Sequence, residues 1–168
     1  MACREAVVED AAAIARVWVA AWQTAYAGLM PAEYLAGLNA DAALPAFERS
    51  LRAGATVLVL EQECDILGFS AYGASRDADA GLETGEVIAI NLHPSCWRRG
   101  LGRELLDETQ KRLRARGFAD ATLWVLHENT RARQFYDALG WRLDGVEKHD
   151  AKLTGFPLHE VRYRVTLP

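Results

Sequence analysis

The chain has 168 residues, 51% of them hydrophobic and 25% charged, with a formal net charge of −4. That size and balance describe one globular domain with an ordinary apolar core. The acidic excess argues against nucleic acid as the main partner, because phosphate binding needs a concentrated basic surface.

In chain order, Arg4 to Val8 is predicted as a first strand. Asp10 then caps a helix whose apolar stripe is Ile14, Val17, Trp18, Ala21, Trp22 and Ala25, and Gly28 ends it. Pro31 starts a short second helix through Leu38, and Pro45 to Arg52 reads as a third, broken at Gly54. Thr56 to Leu60 and Ile66 to Tyr72 are β-rich and joined by a polar turn, so they read as a hairpin. Arg76 to Gly85 is a loop. Glu86 to Leu92 is the next strand, stopped by His93-Pro94. Leu101, Leu105, Thr109 and Leu113 share one helical face, and Gly117-Phe118 closes that helix. Thr122 to Leu126 is a strand. Asn129 or Thr130 caps a helix containing Ala132, Phe135, Tyr136 and Leu139. Trp141 to Val146 and Glu160 to Thr166 are the closing strands. The order implies a single mixed α/β domain over residues 1–168.

Cys3, Cys64 and Cys96 are an odd set without metal-ligand spacing, so no metal is expected and free thiols in a reducing cytoplasm fit best. Glu5, Glu9 and Asp10 interrupt any apolar leader, and no run is long enough to span a membrane. The expectation is a cytoplasmic protein without nucleic acid or membrane partners.

The segment Trp97-Arg98-Arg99-Gly100-Leu101-Gly102 joins a strand to a long helix. A helix N-terminus offers unpaired N–H groups and partial positive charge. Glycines let the backbone approach an anion, and Arg98, Arg99 and Arg103 add charge, which together describe a diphosphate site; the Gly-x-Gly alone reads as a tight strand-to-helix turn, and the arginines alone as a solvated helix start. Leu105 stands where a dinucleotide fingerprint needs its third glycine, and the Gly-Lys-Ser/Thr of a P-loop is absent.

That loop, its preceding strand and the stretch Asn129-x-x-Ala132-x-x-Phe135-Tyr136-x-x-Leu139-Gly140-Trp141 resemble the GNAT family of N-acetyltransferases. The resemblance is strong over Glu86 to Trp141 and extends to Ala21–Pro31 and Val161-Arg162-Tyr163. It implies a mostly antiparallel mixed sheet flanked by helices and splayed near Glu86 to Leu92 and Thr122 to Leu126. It also implies acetyl-CoA as co-substrate. The loop Trp97 to Arg103, with Gly100 and Gly102 at the family glycines, would hold its pyrophosphate. Ile90, Asn91 and Leu92 would offer backbone N–H groups to the thioester. Asn129 would bond the pantetheine arm, with Arg133 on the same helix as a further contact. Tyr136 would lie near the sulfur. Trp97 departs from the family, which carries Gln or Arg there.

The chemistry sets further requirements. A lysine-like amine with pKa of about 10.4 is roughly 0.04% neutral at pH 7, so a group must accept its proton. The resemblance nominates Glu86 as base, although a solvated carboxylate at a strand start is an equal reading. His93 is a weaker candidate and reads equally as a turn residue. Full proton transfer from a phenol to a thiolate is uphill by roughly 2 kcal/mol on ordinary values, so Tyr136 is expected to stabilise sulfur charge by hydrogen bonding. Trp22 and Tyr26, one helical turn apart, are candidates for the acceptor pocket. Trp18 and Trp124 read as packing, and His127 and His149 have no evident partner. Cys96 lacks a base within sequence reach, so transfer is expected to be direct. The acceptor is expected to be a small amine. A protein or peptide amine and a non-catalytic acyl-CoA-binding module are the alternatives, separated by pocket shape and by the effect of Tyr136→Phe on turnover. The resemblance allows a homodimer, but no self-complementary surface is legible.

Overall fold

The computed structural model describes all 168 residues. The helices are α1 (Ala11–Ala25), α2 (Ala32–Ala36), α3 (Ala40–Arg52), α4 (Leu101–Ala115) and α5 (Thr130–Ala138). The strands are β1 (Ala2–Glu5), β2 (Val57–Gln62), β3 (Asp65–Ala74), β4 (Thr84–Leu92), β5 (Asp120–Leu126), β6 (Arg142–Asp150) and β7 (Leu158–Thr166). The seven strands form one sheet in the order β1-β2-β3-β4-β5-β7-β6, antiparallel except for β4 beside β5. Its two faces are covered by different helices, as a sheet with apolar residues on both sides requires. Leu101, Leu105, Leu106 and Leu113 of α4, with Tyr136 and Trp141, pack on Val87, Leu123, Val125 and Tyr163. Ile14 and Val17 of α1 pack with Phe47 of α3 on Val57, Val59 and Phe69.

Several boundaries differ from the sequence expectation, each for a local reason. β1 stops at Glu5, because the Asp10 carboxylate folds back onto Arg4 at 2.7 and 3.0 Å and takes the Val7 N–H at 2.8 Å. Asp10 therefore makes no side-chain cap on α1. α3 begins five residues before Pro45, because Asn39 Oδ1 accepts the Ala42 N–H at 3.0 Å and supplies the missing cap. Pro45 sits inside that helix, where it forgoes one backbone bond. β6 and β7 run longer than expected, and the polar outer strand β6 carries its pairing through Asp150.

The feature that creates a site is a break in the sheet. β4 and β5 pair only at Thr84↔Asp120, Gly85↔Ala121 and Glu86↔Thr122. One residue further on, Ala71↔Ala89 and Tyr72↔Val87 leave Ile88 as an extra residue in β4. A bulge bends its strand and ends regular pairing, and such devices cluster near active sites. Beyond it β4 and β5 diverge, as the family resemblance implied. No helix is long and apolar enough to cross a membrane.

Candidate active site

The divergence opens a cavity of about 550 Å³. Val87 to Leu92 form one wall and Leu123 to Leu126 the other. The N-terminal ends of α4 and α5 lie at one end. Trp22, Tyr26 and Met30, with Leu158 and Glu160 of β7, lie at the other. From Val87 onward the β5-facing edge of β4 has no ladder partner, which leaves backbone groups free to bond a ligand.

The first end gathers the glycine loop with Arg98, Arg103 and Arg131. Gly100 adopts φ 79° as it leads into α4, a left-handed conformation that glycine takes without the steric cost of a side chain. Arg98 holds φ 59° beside it. Gly102 serves packing as well as approach: a Cβ there would lie 3.1 Å from Leu92 Cδ1 and 3.4 Å from Phe135 Cζ. Trp97, the unusual entry residue, donates its indole N–H to the Leu92 carbonyl at 2.9 Å, and Arg131 stacks 3.6 Å from its ring centre. The indole thus ties the loop to the end of β4 and to α5. Burial, and secondarily repulsion from Arg98, lowers the Arg131 pKa.

Of the residues expected here, Trp97, Arg98, Gly100, Gly102 and Arg103 line the cavity, as do Ile90, Asn91, Leu92 and Asn129. Asn129 caps α5, its Oδ1 accepting the Ala132 N–H at 3.2 Å, and its amide nitrogen remains a donor. Three expected side chains are elsewhere. Leu101 is buried in the core and Arg99 is exposed outside the lining. Arg133 turns away to the His127 carbonyl at 3.0 Å and the Tyr163 hydroxyl at 3.3 Å, because its place on α5 faces the end of β5. Arg131, missed in the sequence, lines the cavity instead. Its spacing two residues after the cap was the available signal.

Tyr136 is buried and lines the cavity. Burial, with the Tyr26 phenol as a smaller cause, pushes its pKa well above the ordinary phenol value. Tyr26 is pushed up to about 12, by burial first and by the Glu160 carboxylate second. Trp22 and Tyr26 both line the other end of the cavity, their ring centres 5.0 Å apart and edge to face. They pack in one apolar cluster with Met30, Leu35, Leu126 and Leu158.

Glu86 is placed differently from the expectation. It is 1% exposed, it is not in the cavity lining, and Arg76 engages both of its oxygens. Oε1 accepts Arg76 Nη2 at 2.6 Å, while Oε2 accepts the Arg76 backbone N–H at 2.9 Å and Nε at 3.2 Å. This carboxylate pins the β3–β4 loop at the closed end of the divergence. The carboxylate that does line the cavity is Glu160, which sequence reasoning passed over as part of a closing strand. Trp124 lines it too, its indole N–H bonded to Asp77 at 3.0 Å. His93 is a turn residue bonded to the Ser95 hydroxyl at 2.8 Å. Cys96 is buried, with the Ser95 hydroxyl 3.5 Å away and no basic side chain bonded to it.

A wedge between diverging strands, a glycine loop at a helix start and a buried phenol lining the same cavity are the arrangement that the resemblance to acyl-CoA-dependent transferases implied. Residues 10–141 match the model of the acetyltransferase (GNAT) family. The uncharacterized N-acetyltransferase YuaI of Bacillus subtilis is 31% identical over 159 residues, which is 94% of this chain and 88% of that one. The chain belongs to the GNAT acetyltransferase family and is an acyltransferase of that family. The fold is shared with a GCN5-related N-acetyltransferase from Rhodopseudomonas palustris (TM-score 0.78, 23% identity, 99% and 95% of the two chains). It is also shared with YncA of Salmonella typhimurium, solved with its cofactor acetyl-CoA (TM-score 0.70, 22% identity, 100% and 94%).

Proposed function

We propose that this chain transfers the acetyl group of acetyl-CoA directly to the primary amine of a small molecule, with Glu160 receiving the amine's proton. The observation that carries the acceptor class is that two lining residues, Trp124 and Glu160, already pair with a lysine ammonium just outside the lining. Lys148 Nζ lies 4.2 Å from the centre of the Trp124 ring and 3.4 Å from Glu160 Oε2. An aromatic face and a carboxylate together are a recognition set for a cation. The compact apolar wall of Trp22, Tyr26, Met30 and Leu158 supports a small acceptor over an extended peptide.

In this reading the α4 loop and Arg98, Arg103 and Arg131 hold the diphosphate, and Asn129 orients the pantetheine arm. Glu160 accepts a proton as the acceptor amine becomes nucleophilic. Unpaired N–H groups of β4 beyond the Ile88 bulge receive the charge that develops on the carbonyl oxygen. Tyr136 donates a hydrogen bond to the departing sulfur. Its raised pKa makes it a durable donor and a poor proton source, which keeps the role short of full transfer.

The test is a panel of small amines and peptides assayed by CoA release. Small primary amines should turn over best. A preference for peptides would overturn the acceptor class, and no release with any amine would overturn transfer itself. Glu160→Gln should lower kcat/KM for the acceptor by about 10²-fold and flatten its pH profile. Glu86→Gln should instead act on stability, costing about 1–2 kcal/mol by weakening the Arg76 contacts, with the pH profile of kcat unchanged. The opposite pattern between these two variants would return the base to Glu86.

A further inference from the structure

We propose that the β5–β7–β6 edge of the sheet carries a zinc site formed by His127, His149, His159 and Glu147. Three of the chain's four histidines stand in a single row across three adjacent strands. His149 and His159 are directly opposite each other in the β6–β7 register. His127 follows the last residue of β5, and its N–H bonds the His159 carbonyl at 2.9 Å. Neighbouring strands are about 4.8 Å apart, so the register brings the three rings together. The ring centres of His127 and His159 are 4.6 Å apart and those of His149 and His159 are 4.2 Å apart. Glu147, two residues before His149 on the same strand, places Oε2 2.8 Å from His159 Nε2.

Imidazoles with a carboxylate are a donor set that zinc uses, at bond lengths of about 2.0–2.2 Å in a tetrahedron. Such a tetrahedron holds its donor atoms about 3.3 Å apart. The donor atoms of Glu147, His149 and His159 lie within 4.8 Å of one another and form the core of the site; His127 is grouped instead with Glu128 and His159, and joins as fourth ligand only by swinging past the His159 ring. The contact between Glu147 and His159 would open by about half an ångström, and the other donors would close inward. The rings must tilt out of their stack to aim at one ion. His127 and His149 are exposed and His159 is half-buried at the sheet edge, so no core packing opposes that tilt.

The site faces away from the cavity, on the opposite side of β7 from Leu158 and Glu160. An ion there would clamp the β6–β7 hairpin to the end of β5. The chain has one exposed free thiol, Cys64, that could compete for the metal.

The experiment is a titration of the full chain with Zn²⁺ against a chromophoric chelator, repeated with Co²⁺ to read its visible absorption. One equivalent should bind, and the Co²⁺ band should have tetrahedral intensity. His149→Ala and His159→Ala should each weaken binding about tenfold or more, while Cys64→Ser leaves it unchanged. Far-UV circular dichroism of each variant without metal separates a lost ligand from a lost fold. Absence of stoichiometric binding, or binding that survives the His149→Ala/His159→Ala double variant, would overturn the site.

Discussion

Tyr136→Phe should lower kcat by about 10²-fold, or roughly 2.7 kcal/mol, while the KM for acetyl-CoA moves little. The substitution removes one oxygen from a buried ring and leaves the contacts with Phe135, Trp141 and Tyr163 in place. The loop at Gly100, the Asn129 cap and the cationic end of the cavity are untouched, so cofactor binding persists. Single-turnover kinetics with rapid quench, measured beside steady-state rates, checks that the loss falls on the chemical step. A Tyr136→Phe enzyme with unchanged kcat would show that the hydroxyl plays no part. The direction of the Tyr136 pKa adds a pH signature. Because burial raises it, the phenol stays protonated through about pH 10, and wild-type activity should show no alkaline decline from it below that point. The same shift acts on the fold: the stability it reflects is intact below the ordinary phenol value and is lost as pH climbs through the raised one.

Arg162→Ala should destabilise the protein by about 3 kcal/mol, the usual cost of removing one partner from a buried charge cluster. Arg162 is 2% exposed and reaches three carboxylates. Nε donates to Asp144 at 2.7 Å, Nη1 to Asp79 at 2.7 Å and Asp77 at 3.1 Å, and Nη2 to Asp79 at 2.7 Å. Without it Asp77 and Asp144, both largely enclosed, lose their principal cation. Asp77 also holds the Trp124 indole, so the acceptor end loosens and the KM for the amine should rise. For a chain of this length the fall in Tm is roughly 6–12 °C, readable by calorimetry. Arg162, by hydrogen bond and charge, holds the exposed Asp79 at about 2. That contribution is present above the ordinary carboxylate value and disappears as pH falls toward 2. The Arg162→Ala variant should therefore lose this acid-side dependence as well as overall stability.

Short-range features were legible in the sequence. The glycine loop, the strand before it, the Asn129 cap and Tyr136 lie within one stretch, and their roles depend on local backbone geometry. The divergence of β4 from β5 came from the family resemblance and not from composition. What escaped was set by contacts between distant segments. Glu86 looked free because its partner, Arg76, lies in a loop ten residues away with no periodic signal. Glu160 and Trp124 read as strand residues until the β5–β7 register brought them to one cavity. The histidine row was invisible because it needs the pairing of three strands, one of which continues past its predicted end. Pro45 reads locally as a helix start, and Asn39 is a cap only because the helix begins before the proline.

The three residue pairs that join β4 to β5 make the sheet a jaw of two blades, β1 to β4 and β5 to β6, meeting at a narrow hinge. Two polar fasteners sit at that hinge, Arg76 on Glu86 and Arg162 on the aspartates of the β3–β4 loop. Both tie the β3–β4 loop across the hinge, so the buried Glu86 carboxylate serves the joint between the blades and not the lining of the space they open.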